Sequence, residues 1–196
     1  MKLIQVGANR GHDDLSKYIL SNHSTLEFAL FVEPNKVHMA DLTECYKDYS
    51  PLIENVAIVP NTYIGNELEL FYQINDPDFA ITSCKKEHIH KHLQQVMDND
   101  YNNGIFSFIV PCMSLEQLFE KYNIVDLDWL LLDIEGLDAE ILLSVDWQRY
   151  NIKHIEYEYI HLSNEDSRAI IDIFLNLGYM QVPALSVFDN AFERVS

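Results

Sequence analysis

Two rhythms of apolar and polar positions alternate along the chain. Leu3 to Val6, Phe28 to Val32 and Trp129 to Leu132 are apolar almost throughout and read as strands buried on both faces. Between them apolar residues return at helical spacing. Leu15, Tyr18, Ile19 and Leu20 follow Asp13 as N-cap, in a helix ending near Ser21-Asn22. Val37, Met39, Leu42, Cys45 and Tyr46 mark a second helix. Leu115, Leu118, Phe119 and Tyr122 mark a third, with Ser114 and Gln117 as a capping box. The same reading predicts strands over Ile53 to Val59, Phe106 to Val110 and His154 to Ile160. It predicts helices from Asp138 through Val145 and from Asp166 to Leu177, the latter closed by Gly178. Glu67-Leu68-Glu69-Leu70-Phe71-Tyr72 alternates strictly, as a half-exposed hairpin strand does. Tyr179 to Val182 and Ser186 to Val195 are expected to close the fold as an antiparallel pair.

Strand and helix in alternation predict an α/β fold, a doubly wound, mainly parallel sheet with helices on both faces. No linker or repeat interrupts residues 1–196, which read as a single domain. Residues 75–104 are polar and irregular, with a possible helix around Glu87 to Val96. They read as a lid-like or substrate-facing insertion.

Composition narrows the partners. The formal charge is −18, from 31 acids against 13 bases, and no basic stripe is present. Nucleic acid and anionic membrane surfaces are therefore poor partners. No apolar run has the length of a membrane span. The first strand is predicted to begin at once, so no signal peptide is expected. Cys45, Cys84 and Cys112 are widely spaced and odd in number. A reducing, cytoplasmic location is expected.

The first candidate chemistry is the turn Val6-Gly7-Ala8-Asn9-Arg10-Gly11 between a strand and a helix. Its glycines can take positive φ and let backbone approach a ligand. About twenty residues on, Glu33 stands at the tip of a buried strand, held extended by Pro34. A carboxylate there can accept both hydroxyls of a ribose. Dinucleotides and S-adenosylmethionine both use this geometry. A pyrophosphate wants GxGxxG and a free helix N-terminus, whereas Asp13 and Asp14 occupy that first turn. S-adenosylmethionine, a cation, fits better. A dinucleotide-dependent oxidoreductase is the less favoured alternative.

Further segments keep order and spacing with these. They are Phe31-Val32-Glu33-Pro34-Asn35, Asn55-Val56-Ala57-Ile58, Met113-Ser114-Leu115-Glu116-Gln117-Leu118, Asp133-Ile134-Glu135-Gly136 and Glu158-Tyr159. Together they resemble the FkbM-type S-adenosylmethionine-dependent methyltransferases over nearly the whole chain. The resemblance implies the Rossmann-like class I methyltransferase sheet, seven-stranded with an antiparallel terminal strand pair. It implies O-methylation of a small molecule or glycan. Gln5 and Leu131 depart from the family pattern, so a non-catalytic binding module on the same fold remains the alternative.

The methyl-donor site is accordingly expected at Val6, Gly7, Ala8, Asn9, Gly11, Glu33, Pro34, Ala57, Asp133 and Glu135. Asp133 ends a central strand and can bind an ammonium, take a hydroxyl proton, or cap the next helix. Glu135 either faces the site or folds back onto its own loop's amides. Glu158 is costly to bury unpaired, and His161 is a candidate general base because a free imidazole has its pKa near neutrality. Asp133, Glu158 and His161 are the candidate catalytic groups. His88 and His92 would share a helix face near Glu87, a spacing open to zinc, with His90 between them. No second ligand pair or CxxC accompanies them. They read as a solvated face, and no metal is expected. Tyr101 in the insertion is a candidate for stacking on an acceptor.

Overall fold

The computed structural model describes residues 1–73, 82–90 and 105–195. The apolar runs form the middle of the molecule. β1 (Lys2–Val6), β2 (Phe28–Val32) and β8 (Asp126–Leu132) lie side by side and parallel, with β1 in the centre. β3 (Leu52–Glu54) extends this sheet beyond β2, and β9 (Asn151–Glu158) extends it beyond β8, both parallel. β11 (Asp189–Arg194) then pairs antiparallel with both β9 and β10 (Tyr179–Val182). The order is β10-β11-β9-β8-β1-β2-β3, a seven-stranded, mainly parallel sheet with an antiparallel terminal pair.

A second sheet of four strands stands beside the first, in the order β4-β7-β5-β6. It comprises β4 (Ala57–Val59), β5 (Glu67–Gln73), β6 (Thr82–Ser83) and β7 (Ile105–Ser114). The predicted strand Ile53 to Val59 is thus two strands in two sheets. Asn55 breaks it: its side-chain amide donates to the carbonyls of Glu33 (2.9 Å) and Pro34 (2.8 Å), tying the chain to the tip of β2. The predicted Phe106–Val110 strand is longer, because β7 pairs antiparallel with β5 along its first part and parallel with β4 at its end. β9 stops at Glu158, so His161 lies past the strand and not on its face. Helix starts before 91 as expected, over residues 86–90; the rest of the predicted Glu87–Val96 helix, His92 and Tyr101 lie outside the described residues.

Helices pack on both faces of the large sheet. On one face α1 (Asp14–Asn22) and α2 (Met39–Cys45) bury Leu15, Ile19 and Leu42 against Leu3, Phe31 and Leu131. The Tyr46 ring stacks on Phe31 with centroids 4.0 Å apart. On the other face α3 (Leu115–Tyr122), α4 (Asp138–Ser144) and α5 (Asn164–Asn176) pack Phe119, Ile141, Leu142 and Phe174 against Ile4, Leu130, Ile155 and Tyr157. The expected caps are in place. Asp13 and Ser114 each accept from the N3 amide in a closed capping box, while Ser163 caps α5. Among the described residues no helix is long and apolar enough to cross a membrane.

Phe174 contacts the rings of Trp147, Tyr157, Tyr179 and Phe192. Phe174→Ala is expected to lower unfolding free energy by about 3–5 kcal/mol. Urea denaturation measures it; a loss below about 1 kcal/mol would mean that the ring cluster is not the core of this face.

Candidate active site

The site grows from the C-terminal ends of β1, β2 and β8, where open parallel sheets present their ligand crevice. Leaving β1, the Gly7 and Ala8 amides donate back to the Val32 carbonyl (2.9 and 3.1 Å). The turn continues through Gly7 at φ 80°, Asn9 at φ 49° and Gly11 at φ 75°. A Cβ on Gly7 would stand 1.7 Å from the Asp133 carbonyl oxygen, so no other residue fits. The Asp133 amide donates to the Val6 carbonyl (3.0 Å), locking the ends of β1 and β8 together.

Between these ends and the second sheet lies a cavity of ≈ 770 Å³, solvent included. Val6, Gly7, Asn9, Glu33, Pro34, Ala57, Asp133 and Glu135 line it. Two expected residues do not. Ala8 is fully buried in the core near Leu15, and Gly11 lies beneath the Tyr46 ring and Cys45, where a Cβ would meet atoms at 3.0–3.2 Å. Both belong to the turn and lie outside the cavity lining. Sequence reasoning missed the apolar wall of Leu68, Leu70 and Cys84 from the second sheet and its neighbourhood. It also missed Asp13, which lines the cavity as well as capping α1; Gln5 holds it through Nε2 at 2.6 Å. Gln5 is therefore a buried support for an acid.

Glu33 is nearly buried, its Oε2 accepting from the Asn9 amide (2.8 Å) and its Oε1 from the Asn35 amide (2.7 Å). Burial pushes its carboxyl up to about 7, against the pull of those two amides. Asp133 is open to cavity water but walled by protein elsewhere. Desolvation, then the charges of Glu135, Glu158, Asp138 and Asp189, raises its carboxyl well above the ordinary value. Asp133 does not cap α4, whose N-cap Leu137 provides no side-chain bond. Nor does Glu135 fold back onto its own loop. Asp138 does that, accepting from the amides of Ile134 (3.1 Å) and Gly136 (3.4 Å).

Glu135 has φ 52°, a left-handed conformation costly for a residue with a Cβ. It turns its carboxylate away from the loop toward His88, whose Nε2 lies 3.0 Å from Oε2. His161 Nε2 is 3.9 Å from the same oxygen and 3.6 Å from Glu158 Oε2. Glu158 and His161 thus gather on the far side of Glu135 and do not line the cavity itself. Burial, helped by Glu135, Asp138 and Asp189, pushes the Glu158 carboxyl up to about 8. His88 was expected on a solvated helix face; its side chain is 12% exposed and packs into this group. Only the fold could reveal that, since His88 and Glu135 are 47 residues apart.

The methyltransferase FkbM domain matches residues 5–180. The chain belongs to the FkbM methyltransferase family. No curated protein sequence matches it significantly. Among solved structures, the methyltransferase FkbM from Methylobacillus flagellatus superposes with a TM-score of 0.53 at 12% identity. The alignment covers 97% of this chain but 42% of that one, so the chain spans less than half of that structure's length. A ribosomal protein L11 methylase from Lactobacillus delbrueckii subsp. bulgaricus gives 0.45 at 8% identity, covering 100% of this chain and 70% of that one. Aeropyrum pernix fibrillarin with bound S-adenosyl-L-methionine gives 0.42 at 10%, covering 98% and 64%. The fold is that of the class I methyltransferases, as the FkbM-type motifs imply.

Two outcomes follow for the protein without ligand. Asp138→Ala leaves two amides of the 133–136 turn without their acceptor and is expected to cost about 1–3 kcal/mol of stability. A change below about 0.5 kcal/mol in urea denaturation would count against that support. The second outcome concerns pH. Glu33, Asp189 and Glu158 titrate in the fold at about 7, about 7 and about 8, above their unfolded values. Across that range the folded state binds more protons than the unfolded one, so stability falls as pH rises from about 6.5 to 8.5. His38, buried and lowered to about 4, has the opposite slope, but only below its unfolded value near 6.5. Denaturation midpoints are expected to be lower at pH 8.5 than at 6.5, with a smaller gap in Glu158→Gln. A midpoint that rises over this interval would contradict the assignment.

Proposed function

We propose that this chain transfers a methyl group from S-adenosylmethionine to a hydroxyl of a small molecule or glycan. One observation carries the reading: Asp13, Glu33, Asp133 and Glu135 line the cavity, and no Lys, Arg or His does among the described residues. Such a lining attracts a cation and repels a pyrophosphate. Family membership supports the same donor.

S-adenosylmethionine supplies a methyl group already activated on a sulfonium. The residues of the chain bind and orient it. Glu33 retains lone pairs on both carboxylate oxygens to accept ribose hydroxyls, while the Asn9 and Asn35 amides fix its position. Val56, Ala57, Ile58, Leu68 and Leu70 offer an apolar wall to the base. Asp133 is the partner for the donor's ammonium. Glu158, with its carboxyl raised toward neutrality, takes the acceptor's proton, and His161 orients it. The acidic surface disfavours nucleic acid and anionic membranes as partners. The free thiols of Cys45, Cys84 and Cys112 fit a cytoplasmic setting.

Calorimetry with S-adenosylhomocysteine is expected to give micromolar binding, and with NAD none; the reverse would overturn the donor. A charged bidentate contact of about 1.5–3 kcal/mol means that Glu33→Ala weakens binding roughly 10- to 150-fold. Unchanged affinity in a folded variant would place the ribose elsewhere. Binding and chemistry separate at the other acids. Asp133→Asn is expected to weaken both donor binding and turnover. Glu158→Gln should lower kcat and kcat/KM together by about 10²–10⁴ while sparing donor affinity. An acceptor is found by transfer of labelled methyl into a panel of glycans and metabolites. Full turnover by Glu158→Gln would refute its role as base.

A further inference from the structure

The groups behind Glu135 come from three separate parts of the chain. His88 is in the helical residues 86–90 that follow β6, Glu135 is in the turn between β8 and α4, and His161 lies beyond β9. One donor atom from each lies within 4.8 Å of the other two. The His88 and His161 rings meet edge to face, centroids 4.2 Å apart at 81°. Glu158 Oε2 is buried next to His161 without a hydrogen-bond partner.

We infer that His88, Glu135 and His161 form a binding site for a divalent transition-metal ion beside the donor cavity that Glu135 lines. Ligands bound at about 2.0–2.2 Å lie roughly 3–4 Å from one another. The separations of 3.0 and 3.9 Å from Glu135 Oε2 to the two imidazoles already match. Two imidazoles with carboxylate suit zinc, manganese or iron(II); calcium and magnesium prefer all-oxygen sets. The backbone is arranged for the purpose. Glu135 is held in a left-handed conformation, its carbonyl accepting from Ser83 Oγ at 2.7 Å, and that conformation aims its carboxylate at the histidines. A simple salt bridge would not require the third donor or the strain.

The role of the ion rests on the methyl-transfer reading above. Glu135 lines the donor cavity and belongs to this cluster, so the proposed ion would act on an acceptor that enters the cavity past Glu135. In the transfer, the acceptor O–H proton passes to a carboxylate and the oxygen pair forms the new O–CH₃ bond. The S–CH₃ bond breaks, leaving its pair on a neutral thioether. The ion stabilises negative charge on the acceptor oxygen through the first of these changes.

The test uses protein stripped of metal with a chelator. Titration with Zn(II) by calorimetry is expected to saturate at one ion per chain, at least about 100-fold tighter than Mg(II). Co(II) is expected to give a visible d–d spectrum. His88→Gln and His161→Gln should each weaken Zn(II) about 100-fold or more and alter that spectrum, with circular dichroism verifying the fold; either folded variant suffices. Absence of stoichiometric Zn(II) binding, or binding unchanged in a folded variant, overturns the site. S-adenosylhomocysteine is titrated into the same stripped protein. If it binds and Zn(II) does not, the metal site alone fails. If Zn(II) binds and it does not, the donor reading alone fails.

Discussion

The contact between Gly7 and the Asp133 carbonyl governs the arrangement of this molecule. Three strand ends meet there. Gly7 reaches across to β2 through the Val32 carbonyl, and Asp133 reaches back to β1 through Val6. The separation leaves no space for a side chain at position 7, a Cβ there falling 1.7 Å from the oxygen. Because the three ends are pinned, the groups they carry are pinned as well. Glu33 follows directly on β2, Asp133 on β8, and the Asn9 amide that holds Glu33 sits in the turn that Gly7 begins. A turn displaced by even a methyl group would disturb Glu33 and the acid at the other end of the cavity together.

The cost of this arrangement is a concentration of acids. Burial raises the carboxyls of Asp133, Asp138, Glu158 and Asp189, and the charges of neighbouring acids add to the effect. A protein selected only for stability would place apolar residues at several of these positions. Local bonds offset part of the penalty: Asp138 caps the amides of its turn, and the two histidines face Glu135. What remains is a site whose electrostatics improve when something cationic arrives. That is the common logic of the donor cavity and of the cluster behind it.

The sequence made local structure legible wherever the signal was local. Phe28 to Val32 is a strand with the expected limits, and Asp13 and Ser114 cap their helices, because apolar runs and capping boxes are short-range patterns. Partition between sheets was not legible. Ile53 to Val59 read as one strand, and the bonds of Asn55 to residues brought alongside by folding mark its division into Leu52–Glu54 and Ala57–Val59. At the site, the glycine turn and the strand-tip acids could be read from type and position. Which motif residues face the ligand could not. Ala8 and Gly11 belong to the motif but support it from behind, whereas Asp13, read only as a cap, faces the cavity. His88 carried no signal beyond its identity, since its partners are supplied by the turn at Glu135 and by the segment past β9.

The segment 82–90 does more than contribute His88. Ser83 Oγ donates to the Glu135 carbonyl, Lys85 donates to the Gly136 carbonyl, and the Lys85 ammonium pairs with Glu140 at 3.1 Å. The first two of these fall on the turn that carries Glu135, the third on α4 just after it. Thr82 and Cys84 line the donor cavity from the same segment, and Thr82 Oγ1 accepts from Asn35, whose amide also holds Glu33. The segment is therefore bonded at both ends of the cavity, to the Asn35 side chain beside Glu33 and to the left-handed turn. Should a ligand at one end change the affinity for a ligand at the other, the effect is equal in both directions, because coupling between two binding equilibria is reciprocal.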